Sequence, residues 1–298
     1  MAQNPVIFDR HLLAVRRRRA IALGPATFLL EWVATDLAER LSAVLRRFDL
    51  AVDLGTPGDA VRRALASRVD AVVAVDTLPA PSGGKTSLTV TADAEALPLR
   101  DGSLDLVVSA LALQFVNDLP GTLVQIRRAL KPDGLFLAAL VGGASLTELR
   151  EAFAAAEAEI EGGISPRVAP FADLRELGAL LQRAGFALPI TDIDRLTVRY
   201  ASPLALMHDL RRMGATNALT ERRRTPLRRV TLRRMMEIYG ERFAEADGRV
   251  RATFEIVWLS GWAPHISQQQ PLAPGSAKMR LAEALGAREV SAGEKAER

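Results

Sequence analysis

The stretch "AVDLGTPGDA" (51–60) decides how this chain is read. A short apolar segment, "LAVDL" (50–54), runs into a turn that carries Gly55 and Gly58. A brief apolar run closed by glycine reads as a buried strand. A glycine turn after a first strand lets backbone approach a ligand closely, as nucleotide-binding folds require. Pro57 and Asp59 stand where more glycine is usual. Pro57 has no N–H to donate, and Asp59 adds an anion. The turn therefore reads as a modified cofactor loop.

Upstream, "FLLEWVATDLAERLSAVLRRF" (28–48) places Leu30, Val33, Leu37, Leu41, Val44, Leu45 and Phe48 at three- and four-residue steps, which predicts a helix capped by Thr27. The "RRRR" run (16–19) reads as part of a helix leading into it rather than as a removable targeting segment. Downstream, strands and helices alternate. A helix over 60–68 precedes a buried strand, "VDAVVAVD" (69–76), ending on Asp76; an "SGGK" loop leads to a third strand (87–93) ending on Asp93. A fourth strand (103–111) is followed by a helix over 118–130, with Val124, Ile126 and Leu130 inward. The turn "KPDG" (131–134), its Asp-Gly step supplying positive φ, leads to a fifth strand (135–140). This rhythm predicts a doubly wound parallel sheet with helices on both faces.

Helices over 145–162 and 171–186 follow, the second stopped near Gly185. Two further strands, 188–200 and 250–263, enclose a basic, mostly helical stretch over 202–245. The expected fold is thus α/β, a doubly wound, mostly parallel, seven-stranded Rossmann-like sheet with a helical insertion acting as a lid or a partner surface. The segments are an N-terminal helical part (1–48), a cofactor-binding core (49–200), the basic insertion (201–249), the last strand of the core sheet (250–265) and a polar, Pro/Gly/Ala-rich tail (266–298) with a short helix near 278–286.

Composition narrows the function. There is no cysteine, which excludes disulfides, thiolate metal sites and a cysteine nucleophile. Three histidines, His11, His208 and His265, form no metal-ligand spacing, and no metal site is expected. No apolar run is long enough to span a bilayer; peripheral membrane association stays open. The net charge of +4 rests on arginine, with only four lysines. Between Arg195 and Arg251 fourteen arginines face six acids. That density fits an acidic partner, a phosphorylated carrier, a nucleic-acid surface or a solvated helix face; no specific nucleic acid is expected.

Four features converge on the carboxyl edge of the sheet, where such folds bind ligands. Gly55 and Gly58 follow the first strand. Asp76 ends the second, where an acid accepts ribose hydroxyls. Asp93 and Ala94 end the third, beside an adenine amino group. The segment from Ser109 to Gln114 ends the fourth, at the reacting centre. Gln114, Asn117, Tyr200 and Asn217 are candidates for the substrate side; none is a strong base, and the catalytic residues stay unassigned. Trp258 and Trp262 read as packing residues.

The run "DAEALPLRDGSLDLVVSALALQFVNDLPGTLVQIRRALKPDGLFLAAL" (93–140) resembles class I S-adenosylmethionine-dependent methyltransferases. The segments "FDR" (8–10), "SPRVAPFADLRELGALLQRAGFALP" (165–189), "LRRMGATNAL" (210–219) and "ATFEIVWLSGWAP" (252–264) are similar to one branch. It holds the biotin-pathway malonyl-carrier methyltransferases and the arginine-hydroxylase type of respiratory complex I assembly factor, and the likeness is greatest to bacterial relatives of the latter. The resemblance implies S-adenosylmethionine as cofactor, held by Asp53, Gly55, Gly58, Asp76, Asp93, Ala94 and Ser109, with Pro57 and Asp59 expected to weaken its affinity. It implies methyl transfer to a protein or carrier-bound substrate. Arginine hydroxylation or a non-catalytic assembly role, with a complex I subunit as partner, is the alternative. The iron-binding two-histidine-one-carboxylate pattern that oxygen activation often uses is not apparent. The location implied is the cytoplasm in a bacterium, or the mitochondrial matrix in a eukaryote.

Overall fold

The computed structural model describes residues 6–79, 88–171, 173–269, 283 and 285–287. The chain divides into a compact unit reaching Pro264 and a second unit from His265 onward. In the second, the described residues include a turn in which the His265 amide donates to Gln268 at 3.2 Å. The predicted tail helix and the "SGGK" loop fall largely or wholly outside the described residues.

The first unit is built on one seven-stranded sheet. Its strands are β1 (Phe48–Leu54), β2 (Val69–Asp76), β3 (Leu88–Thr91), β4 (Leu104–Ala110), β5 (Leu130–Val141), β6 (Ala187–Tyr200) and β7 (Val250–Trp262), in the spatial order β3-β2-β1-β4-β5-β7-β6. The first five run parallel; β7 is antiparallel to both β5 and β6. Strand order reverses between β1 and β4, which opens a crevice beyond their carboxyl ends.

Helices cover both faces, as the strand–helix alternation requires. On one face α2 (Phe28–Ser42), α3 (Ala60–Leu65), α5 (Thr147–Glu161), α7 (Pro203–Arg212) and α8 (Arg229–Phe243) bury Leu37, Leu65, Phe153, Leu206 and Met235 among others. On the other, α4 (Leu119–Ala129) and α6 (Leu174–Arg183) bury Leu123, Ile126, Leu177 and Leu181. An N-terminal helix, α1 (Arg10–Ala22), packs against α7.

Several local expectations give way to tertiary pairing. The helix predicted over 28–48 stops at Ser42, and Phe48 instead opens β1, paired with Val69. The predicted inward Val124 is exposed, and Leu123 takes its place in the core. The "KPDG" segment lies within β5 as a register shift against β4. Its positive-φ residue is Asp133 (φ 62°), whereas a Cβ on Gly134 would meet the Lys131 carbonyl oxygen at 2.9 Å. The basic insertion is helical only in α7 and α8; the stretch 213–228 between them is not. Met213 and Gly214 reach the crevice, while α8 lies against α5.

Candidate functional site

A cavity of about 240 Å3 lies at the carboxyl ends of β1, β2, β3 and β4. Its floor includes Leu54, Gly55, Pro57, Val75 and Asp76, and one wall holds Ala92, Asp93 and Ala94. Gly55 has φ 72°, a conformation costly to any residue with a Cβ. A Cβ there would also meet the Ala112 Cβ at 3.0 Å. The turn thus brings β1 backbone against the β4 end, and the space is kept open by the missing side chain. Leu111, at the β4 end of the cavity, is held at φ 54°. Left-handed backbone at a bulky residue is strained and persists only where its surroundings fix it; here its amide donates to the Ala139 carbonyl at 2.8 Å.

Four of the residues read as cofactor-binding, Gly55, Asp76, Asp93 and Ala94, line this one cavity. Three do not. Asp53 is 1% exposed, lies outside the cavity lining and accepts from Arg62 Nη1 at 2.9 Å. Burial pushes its carboxyl up to about 6, against the opposing pull of the Thr56 hydroxyl and the Arg62 guanidinium. Ser109 is fully buried and donates to the Leu54 carbonyl at 2.7 Å, tying β4 to β1. Gly58 (φ 78°) turns the chain outside the lining. Asp59, the expected anion beside the ligand, is directed to solvent and paired with Arg63, which also holds Glu31 at 2.8 Å.

The substrate-side candidates are dispersed. Asn117 is a tether: its Oδ1 accepts from the Ile7 and Phe8 amides at 2.9 and 2.8 Å. Asn217 shapes its own loop, donating to the Pro166 carbonyl and accepting from the Leu219 amide. Tyr200 lies in the core, and burial raises its hydroxyl above the ordinary tyrosine range. Gln114 sits between the cavity residues Leu113 and Phe115, and its Oε1 is buried with no hydrogen-bond partner among the described residues. Trp258 packs in the core, donating to Asp194 at 2.7 Å with Arg40 stacked 4.4 Å above its ring.

What the sequence did not assign is the roof. Arg10, Leu13, Ala14 and Arg17 of α1 line the cavity together with Met213 and Gly214. Arg17 donates to both Asp76 carboxylate oxygens, at 2.9 and 2.5 Å, and reaches the Gly55 carbonyl at 3.4 Å. Arg10 lies 2.7 Å from Asp93 and 2.5 Å from Glu95. Gly214 (φ 73°) permits the contact with α1, since a Cβ there would meet the Arg17 Cα at 3.1 Å. The "FDR" segment explains how α1 is set. Phe8 meets Phe115 edge-on, Asp9 caps the helix through the Leu12 amide, and Arg10 reaches the β3 end.

The donor set suits an adenosyl ligand. Two acids end adjacent strands, a glycine turn gives close backbone approach, and apolar Leu13, Ala94 and Leu113 offer faces for a base. The loop is poorer at the anionic end, because Pro57 supplies no N–H.

This topology, with its crevice at the strand-order reversal, is the architecture of the class I methyltransferases. A model of the methyltransferase domain family matches residues 52–138. The chain is 38% identical over 290 residues to the mitochondrial arginine-hydroxylase NDUFAF5 of Danio rerio, covering 94% of this chain and 90% of that one. It is 38% identical over 184 residues to a malonyl-[acyl-carrier protein] O-methyltransferase of Gallionella capsiferriformans (strain ES-2), covering 61% of this chain and 60% of that one. The solved structure of the YcgJ protein from Bacillus subtilis shares the fold, with a TM-score of 0.52 at 16% identity over 77% of this chain and 98% of that one. The chain therefore belongs to the class I S-adenosylmethionine-dependent methyltransferase superfamily, in the branch of NDUFAF5 and the malonyl-carrier methyltransferases. Among the described residues no helix is long and apolar enough to cross a membrane.

Proposed function

We propose that the chain binds S-adenosylmethionine in the crevice beyond β1, β2 and β4 and transfers its methyl group to a protein or carrier-bound substrate. The observation that carries this is the convergence of Gly55, Asp76 and Asp93 on one cavity. Asp76 would accept the ribose hydroxyls, Asp93 and Ala94 would face the adenine, and Gly55 would admit the ligand's backbone-side edge. When bound, the cofactor supplies an activated methyl group, so orientation and exclusion of water matter more than side-chain acid–base chemistry. Leu111 and Leu113 supply a dry wall at the β4 end, and Gln114 brings the buried Oε1 beside it. No strong base lines that wall, which suits a nucleophile already free of its proton, such as a carboxylate.

A second reading has its own observation. The likeness to the arginine-hydroxylases runs nearly end to end, whereas the likeness to the carrier methyltransferases covers about three fifths of either chain. Hydroxylation of an arginine on a respiratory complex I subunit, with dioxygen supplying the inserted oxygen atom and an external two-electron reductant carrying the other to water, or assembly of that subunit without catalysis, is supported by that extent. The chain would then work in the cytoplasm of a bacterium or the mitochondrial matrix of a eukaryote.

Calorimetry with S-adenosylmethionine tests the cofactor, with Asp76→Asn expected to lose most of the binding; no heat at millimolar ligand would sink the reading. The mass of a co-expressed partner then separates the chemistries: a gain of about 14 Da marks a methyl group and about 16 Da an oxygen atom.

A further inference from the structure

The two acids that the cofactor reading needs are both held by arginines of one helix. Arg10 and Arg17 are seven residues apart, two turns of α1, and so share a face. Arg10 lies against Asp93, and Arg17 grips Asp76 through both terminal guanidinium nitrogens, Nη1 and Nη2; the side chains of Arg17 and Asp76 are 18% and 17% exposed. Asp76 Oδ1 also accepts from the Leu78 amide at 3.0 Å and the Thr77 hydroxyl at 3.2 Å, so a ribose that bridges both carboxylate oxygens displaces Arg17. A guanidinium in so enclosed a place cannot be left without an anionic partner at low cost.

The helix itself is poorly placed to swing away. Its entry is pinned by the Asp9 amide to the Ala218 carbonyl at 2.8 Å, by the Ile7 and Phe8 amides to Asn117, and by the Phe8–Leu219 bridge. Its middle is in contact with Gly214. The element free to move is the arginine side chain. It already spans from Asp76 to the glycine turn, with Nη2 3.4 Å from the Gly55 carbonyl, and Pro57 lines the same part of the cavity. That is the end of the loop where a backbone N–H is missing.

We propose that Arg17 is the carboxylate-binding residue of this site and that it works by exchange. In the free protein it neutralises Asp76. When ribose hydroxyls take Asp76, it turns to the ligand's carboxylate, replacing the donor that Pro57 lacks. The site thereby selects adenosyl ligands that carry a carboxylate, because a ligand without one displaces Arg17 and offers it nothing. This rests on the cofactor reading above.

Calorimetry of the full chain with S-adenosylhomocysteine, which carries the carboxylate, and 5′-methylthioadenosine, which does not, provides the test. The wild type should prefer the first. Arg17→Ala should shrink that preference by about tenfold or more, the scale of a charge-assisted bidentate pair. It should also leave 5′-methylthioadenosine binding equal or tighter, since Asp76 is then open. Arg17→Lys, which keeps the charge without the fork, should fall between the two. A preference that shrinks by less than about fivefold in Arg17→Ala overturns the exchange, as does parallel weakening or parallel tightening of both ligands, the marks of a scaffold residue and of a simple plug. If the wild type binds neither ligand at millimolar concentration, the cofactor reading fails as well; if it binds both, only the exchange is at stake.

Discussion

Two sets of arginine–acid pairs sit in different parts of this molecule and differ in how completely each acid is satisfied. At the crevice, Asp93 is about half exposed and shares Arg10 with Glu95. In α5, Glu157 is fully buried. It accepts from the Ser165 amide at 2.7 Å, from the Ser165 hydroxyl at 2.8 Å and from the Arg167 guanidinium, with Nε at 2.7 Å. Burial alone would raise the Glu157 carboxyl, yet those donors hold it below the ordinary glutamate range. Nearby, Glu161 joins Thr231, Arg223 and Arg228. Arg223, Arg228 and Arg234 of the insertion are thus paired with acids of α5. A saturated, buried acid fixes two elements together; a partly exposed one can change partner.

Glu157→Ala should separate the two regions most sharply. It strands the Arg167 guanidinium, and breaking such a pair costs about 3–5 kcal/mol. Urea denaturation should show that loss, with ligand affinity of the surviving folded protein unchanged. Gly55→Ala belongs to the crevice. Left-handed backbone costs about 1–2 kcal/mol, and the added Cβ faces Ala112 at 3.0 Å. A lowered melting temperature together with lost cofactor binding is expected; loss of one without the other would break the link between turn and site.

Asp53 sharpens the comparison through pH. Its folded pKa is raised from the ordinary aspartate range to about 6, burial being the main cause. Between those values the folded chain binds the proton and the unfolded chain does not. Stability from this group is therefore present at acid pH and lost as pH rises through about 6. Glu157 contributes in the opposite sense, lost as pH falls below the ordinary glutamate range. Melting curves of Asp53→Asn should lack the fall in stability across that window that the wild type shows relative to it. The smallest effect is expected at Asp59, whose side chain is 62% exposed and paired only at the surface. Asp59→Asn should change stability by less than about 1 kcal/mol and leave ligand affinity unaltered; a clear gain in affinity would return this residue to the site.

The strand ends were legible because they depend on local signals. "AVDLG", "VAVD" and "TAD" each join an apolar run to a glycine or an acid, and a parallel sheet sets such ends side by side. Asp53 and Ser109 lie outside the cavity lining for a related reason. Residues alternate faces along a strand, and the sequence does not say which face meets the crevice. Asn117 and Asn217 looked like substrate-side polar groups, but their partners, Ile7, Phe8 and Pro166, are distant in the chain. The Phe48 and Val124 errors have the same origin: helical periodicity yielded to strand pairing in one case and to the orientation of α4 on the sheet in the other.

Sequence by itself determined the alternation of strands and helices, the glycine turn and the acids at two strand ends, since these follow from hydrophobic period and turn chemistry within a few residues. Only the tertiary structure decided which side chains surround the crevice. Arg10 and Arg17 look like any exposed helical arginines until α1 is laid over the ends of β2 and β3. The contact between Arg17 and Asp76 spans 59 positions of chain, and no local propensity encodes it. Packing of α1 against α7 and the anchoring of residues 7–9 put the charge there, where burial makes its choice of partner matter.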